Sequence, residues 1–249
     1  MTIWLEAGLW GLFAGSALVL GAAIAWSVRV PQRVVAGVMA FGAGVLISAL
    51  AFDLVDEAES TGGLWPTLAG FIAGAIAYVV CNLALARRGA QHRKRSAAMM
   101  PSEQEAPGSG AAIAVGALLD GVPESVVLGV SLLGGGGVGV SVLAAIVVSN
   151  VPEGLSSAAG MKASGRSARY VFGVWSAIAL ACGLAGLMGA ALLDGAAPET
   201  LAVITAVAAG AMLAMVADTM IPEAFEGTQI YAGLIASLGF AVAFAIGRA

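Results

Sequence analysis

The chain has 249 residues, 60% of them hydrophobic and 10% charged, with a mean hydropathy of +0.97 and a formal charge of −4. A soluble domain carries about 25% charged residues, so this composition excludes an ordinary soluble protein and points to a polytopic membrane protein. The two cysteines, Cys81 and Cys182, lie in separate apolar runs without a Cys-x-x-Cys spacing, which argues against a disulfide framework or a thiolate zinc knuckle.

A hydrocarbon core is spanned by about 20 apolar residues. Eight such segments are expected, at 5–28, 34–56, 64–86, 111–133, 138–161, 170–193, 200–222 and 229–247. They leave no room for strands. The fold class is therefore an all-α membrane protein, with residues 1–249 forming a single transmembrane domain. The first segment lacks a basic leader, with Glu6 before it and Arg29 and Arg33 after it, so it reads as a retained helix and not as a signal peptide. The second ends in Asp53, Asp56, Glu57 and Glu59. These are either acids solvated at a helix end or a mouth that concentrates cations.

After the third segment, residues 87–110 read as a flexible cytoplasmic loop, basic at first and ending in Pro101, Pro107, Gly108 and Gly110. Its His92, the only histidine, reads as a solvated residue in a charge run. The fourth segment contains Asp120-Gly121-Val122-Pro123-Glu124-Ser125, and the fifth contains Ser149-Asn150-Val151-Pro152-Glu153-Gly154. The fifth and sixth are joined by a connection carrying Lys162, Arg166 and Arg169. Between the sixth and seventh, Asp194 and Glu199 flank a short turn and read as solvated. The seventh carries Met212, Met215 and Met220, read as packing residues, and then Asp218, Glu223 and Glu226, which suit an inner exit path. Trp4, Trp10, Trp26 and Trp65 fall near span ends and read as interfacial anchors.

Ten of the eleven basic residues fall in the connections after the first, third and fifth segments. Positive charge marks the cytoplasmic side, so both termini are expected outside a multi-pass cell membrane, the inner membrane in a bacterium. A short similarity links Ala43-Gly44-Val45-Leu46 and Glu57-Ala58 to Ala209-Gly210-Ala211-Met212 and Glu223-Ala224, both at an offset of 166 residues. Since the second and seventh segments run in opposite directions, this is the pattern an inverted repeat would leave, although chance agreement in so Ala- and Gly-rich a chain would also produce it.

The two Pro-Glu stretches carry the chemistry. A charge at mid-membrane costs at least ~2.5–3.5 kcal/mol, so such residues face a polar interior and mark function. Asp120 and Glu124 share a helix face, as do Ser149 and Glu153, with Asn150 beside them. Pro123 and Pro152 have no N–H to give to the carbonyls of Leu119 and Val148, which frees these oxygens near the carboxylates. Carboxylates, a hydroxyl, an amide and carbonyls on facing helices suit a divalent cation. The bland reading, kinks with acids bonded for packing, is weakened by the feature occurring twice.

Asn150-Val151-Pro152-Glu153-Gly154 resembles the fifth-helix motif of the ZIP (ZRT/IRT-like) divalent metal transporters, in a divergent, bacterial-type form. Ala209-Gly210-Ala211-Met212, Asp218 and Ile221-Pro222-Glu223-Ala224 resemble that family's seventh helix. The resemblance covers essentially the whole chain and implies a 3+2+3 inverted-repeat bundle that moves divalent metal toward the cytoplasm. It implies a metal site from Asp120, Glu124, Ser149, Asn150 and Glu153, with Asp53, Asp218, Cys182 and Glu223 along the pathway. The metal would be substrate and not cofactor, drawn from Zn, Mn, Fe or Cd.

The chain departs from the family pattern at Asp120, Gly121, Ser125, Ser149, Cys182 and Thr219. The departures leave one good site instead of two, and an oxygen-rich one, which favours Mn²⁺ or Fe²⁺ over Zn²⁺. A non-transporting metal sensor or interaction protein is the alternative. P-loop, Gly-x-Gly-Asp and His-Glu-x-x-His motifs are absent, so ATP use and membrane hydrolysis are not expected and the chain does not read as an enzyme. Its expected partners are metal ions and the lipid bilayer. No nucleic-acid partner is expected, and the small-residue faces would permit a homodimer.

Overall fold

A computed structural model describes residues 2–87, 109–133 and 139–248. Most of the 87–110 loop, with His92, and the Gly134 to Gly137 connection lie outside the described residues. The described residues are helical except for short connections and contain no strand. The helices are α1 (Ile3–Ser27), α2 (Gln32–Ala49), α3 (Val55–Gly62), α4 (Leu64–Leu85), α5 (Ser109–Leu133), α6 (Val140–Ala163), α7 (Ala168–Leu193), α8 (Pro198–Met215), α9 (Ile221–Thr228) and α10 (Ala232–Arg248).

Among the described residues, seven helical stretches are long and apolar enough to cross a membrane, and their bounds follow the expected segments closely. The difference lies at the end of the chain. Pro198–Arg248 is one helical stretch of 51 residues where two segments, 200–222 and 229–247, are expected. It nevertheless reverses direction. Gln229, at φ 50°, turns the chain between α9 and α10. Gly227 meets Ala36 and Gln32, whereas Gly239 meets Phe41 and Gly247 approaches Asp53, so α9 runs antiparallel to α2 and α10 runs parallel to it.

Helices widen into π turns at Leu50–Leu54 after α2 and at Val216–Met220 after α8. In the first, the Val55 N–H reaches back to the Leu50 carbonyl; in the second, the Ile221 N–H reaches Val216. Pro222 gives a local reason for the second, because it cannot donate to the Asp218 carbonyl and a wider turn lets a later N–H take that role. The elements also recur at an offset of 166 residues: α2 with α8, the two π turns, and α3 with α9 share bounds, and α1 matches α7 to within one residue.

Lipid tails are as apolar as leucine, so helices in a bilayer associate through close packing and not through hydrophobic burial. Glycine supplies that closeness here. A Cβ on Gly154 would strike the Leu18 carbonyl, and one on Gly21 would strike that of Val151, so α6 lies backbone to backbone on α1. Gly44 and Gly239 do the same for α2 against α10, and Gly74 and Gly210 for α4 against α8. The result is two groups of helices. One core gathers Leu18, Ala22, Leu155, Met161, Trp175 and Ile178 from α1, α6 and α7. The other gathers Met39, Leu46, Leu54, Met212, Met215 and Met220 from α2, α8 and the π turns, closed by Leu128 and Ile146. Met212, Met215 and Met220 of the seventh apolar segment are thus buried packing residues.

Gly154→Ala forces two backbones apart and is expected to destabilise the protein by about 1–3 kcal/mol, read as a lower midpoint in an SDS unfolding titration. Gly173→Ala, on an exposed face of α7 with nothing near its Cβ, is expected to leave the midpoint unchanged or raise it by up to about 1 kcal/mol.

Candidate functional site

The site is organised by α5 and α6, which stay helical through Pro123 and Pro152. Glu153 lies about ten residues from the end of α6, or roughly 15 Å at the α-helical rise, near the middle of a span. The α1–α6 contact aligns the two helices in register. The Asn150 amide donates to the Ala14 carbonyl at 3.0 Å, Gly154 sits on Leu18 one turn further, and Lys162 donates to the Trp26 carbonyl at 2.7 Å near the helix ends.

Four acids are almost fully buried: Asp120 at 3% exposure, Glu124 at 1%, Glu153 at 4% and Glu223 at 4%. The other buried polar side chains are Ser, Thr and Asn, and no Lys or Arg is buried among the described residues. Asp120 accepts a hydrogen bond from the Tyr78 hydroxyl of α4 at 3.0 Å. Glu223 of α9 accepts one from the Ser156 hydroxyl of α6 at 3.1 Å, one turn beyond Glu153. Each of these bonds joins one helix group to the other.

Cys182 of α7 meets the same region. Its sulfur sits where a Cβ on Gly121 would lie 2.8 Å away, so the glycine at this position makes room for the thiol. Glu124 and Glu153 are within electrostatic reach of it, and Ser125 is within hydrogen-bonding reach. The Ser125 hydroxyl donates to the Gly121 carbonyl at 2.8 Å.

The structure divides the sequence-derived set. Glu124, Glu153 and Cys182 share one neighbourhood. Asp120 is bonded to Tyr78, the Asn150 amide is committed to α1, and the Ser149 hydroxyl donates to the Ile146 carbonyl at 2.9 Å. Among the described residues, no three His, Cys, Asp or Glu side chains are placed to hold one metal ion together.

Of the pathway residues, Glu223 is buried, but Asp218 on the second π turn is exposed. Asp53 on the first π turn is half-buried and borders a cavity of about 110 Å³ with Ser48, Asp56 and Arg248. Glu57 lines a larger cavity of about 480 Å³ with Thr61, Asp194 and Thr205. Asp194, expected to be simply solvated, also accepts from the Trp4 indole at 3.1 Å, which ties the start of α1 to the end of α7.

Sequence reasoning missed Tyr78 and Ser156. Ser156 had a local signal, since it and Ser157 follow Glu153 by about one helical turn. Tyr78 had none, because nothing in the chain near it marks it as facing Asp120, 42 residues away.

The chain matches no protein-family model and no curated protein.

Tyr78→Phe removes one donor from a buried carboxylate and is expected to cost about 1–3 kcal/mol. In a double-mutant cycle with Asp120→Asn, the two losses should fall short of additive by a measurable coupling term.

Proposed function

We propose that the protein moves divalent metal cations across a membrane, toward the side that carries its basic connections. The observation that carries this reading is the buried ionisable set: Asp120, Glu124, Glu153 and Glu223 lie together inside an apolar helix bundle. Intramembrane acids are costly and characteristically line ion pathways. Glu153 and Glu223 lie about one turn apart through Ser156, so oxygen donors continue from mid-span toward the basic end. At the opposite end, the Glu57 and Asp194 cavity is an acidic mouth.

On this reading α8–α9 and α10 are separate spans, which makes eight. The 166-residue offset between elements reflects two inverted halves, and both termini lie outside a cell membrane. A pathway must bind weakly enough to release, and pairs of oxygen donors met in succession suit that need better than a closed cage. Glu124 and Glu153 would hold the ion at mid-depth, as substrate, with Cys182 beside them. The ZIP resemblance, carried by Asn150 to Gly154 and by the stretch from Ala209 to Ala224, agrees with this.

One observation favours a second reading, a metal-responsive protein that does not transport: no three ligating side chains converge among the described residues.

Vesicles containing the purified protein are expected to take up Mn²⁺ or Fe²⁺ in preference to Zn²⁺, and Glu153→Gln should abolish uptake while leaving the fold intact. Wild-type vesicles that take up none of Zn²⁺, Mn²⁺, Fe²⁺, Co²⁺ or Cd²⁺ would rule out the transport reading and leave the second. Equilibrium titration should find no more than one tightly held ion per chain.

A further inference from the structure

A third cavity, of about 390 Å³, opens at the basic end of the bundle and is lined by Arg33, Gly227, Thr228, Gln229, Tyr231 and Ile235. It lies between the first turn of α2 and the reversal that joins α9 to α10. Its chemistry differs from that of the other two. They are bordered by Glu57 with Asp194 and by Asp53 and Asp56 with Arg248, whereas Arg33 is the charged side chain among the described residues lining this one, with the exposed Glu226 next to its Gly227.

Its positive character has two sources. Arg33 is exposed in the wall of the cavity, carrying a planar fork of donors that matches phosphate oxygens. The helices α2 and α10 run parallel and both begin here, so two positive dipole ends flank the space in which the single negative end of α9 also lies. The Thr228 hydroxyl is turned back onto the Ala224 carbonyl at 2.7 Å, which leaves Arg33, the Gln229 amide and the Tyr231 hydroxyl as the side-chain donors of the lining.

Gln229 is the one non-glycine residue with positive φ among the described residues, at φ 50° and ψ −125°. Such a conformation costs about 1–3 kcal/mol and persists where the surroundings hold it, commonly at binding sites. The rim beyond is apolar and outward-facing, with Ile230 at 84% and Leu234 at 62% exposure. In a helix bundle of this composition such a rim meets acyl chains, not water.

We propose that this cavity binds the headgroup of an anionic phospholipid, its phosphate held by Arg33, Gln229 and Tyr231 and its acyl chains laid along Ile230 and Leu234. A basic pocket between helices at the end of a membrane bundle is suited to such a headgroup. The site lies apart from the buried acids and stands whether or not the protein transports metal.

Native mass spectrometry of the full chain in detergent, with thermal melts alongside, tests this against dioleoylphosphatidylglycerol, dioleoylphosphatidylcholine and inorganic phosphate. Phosphatidylglycerol is expected to be retained about fivefold over phosphatidylcholine, the increment of one well-placed arginine. Arg33→Gln should erase that preference, while Arg29→Gln, outside the cavity, should keep it. Ile235→Trp, which fills the cavity from the α10 side, should reduce retention without lowering the melting temperature in phosphatidylcholine. Equal retention of the two lipids by the unaltered chain, or a preference that survives Arg33→Gln, overturns the site. Inorganic phosphate that stabilises the chain as strongly as phosphatidylglycerol overturns the lipid as its occupant.

Discussion

Backbone-to-backbone contact at glycine is the constraint from which the rest of this structure follows. Helices surrounded by lipid gain little from burying leucine, so their association depends on how closely their axes approach. Gly154 and Gly21 bring α6 onto α1, and the register they impose places Asn150 against Ala14 and Lys162 against Trp26. Because Gly154 directly follows Glu153, the contact that locks α6 in place also fixes the depth and direction of its carboxylate. Gly121 has a related part on α5, since a larger residue there would displace the Cys182 sulfur from its position near Glu124 and Glu153.

Upon this frame the buried acids are shared between two groups of helices. Glu124 and Glu153 belong with α1, α5, α6 and α7, whereas Tyr78 and Glu223 come from the other group. The hydrogen bonds Tyr78 to Asp120 and Ser156 to Glu223 are therefore polar ties across a boundary that is mostly apolar among the described residues. In a low-dielectric interior a bond to a carboxylate is strong and hard to replace with water. Any sliding of one group past the other must exchange these two bonds for something else, and this couples the position of the acids to the arrangement of the helices.

The legibility of the site varied residue by residue, for reasons that can be named. Asp120, Glu124 and Glu153 were evident because a charge within an apolar run is expensive and therefore conspicuous. That Ser149 and Asn150 turn to carbonyls of Ile146 and Ala14 was not evident, because a hydroxyl or amide in a helix has backbone acceptors as well as a ligand within reach. Asp218 and Glu223 looked alike as acids near Pro222, yet one is exposed and the other buried. Their difference depends on the π turn at Val216–Met220, which rotates the following residues relative to a regular helix. The reversal at Gln229 was marked only by a dip in hydrophobicity, since no glycine or proline occupies the turn itself.

By itself the sequence determined the all-helical class, the apolar stretches to within a few residues, the end of the bundle that carries positive charge, and the acids that lie at mid-span. Each follows from one local quantity, the cost of placing a given side chain or backbone group in hydrocarbon. The tertiary structure alone decided which helix faces which: that Tyr78 meets Asp120, that Ser156 meets Glu223, that Cys182 fills the space above Gly121, and that Arg33 shares a cavity with Tyr231. Those pairings depend on interhelical contacts between residues far apart in the chain, which hydropathy along a single segment does not encode.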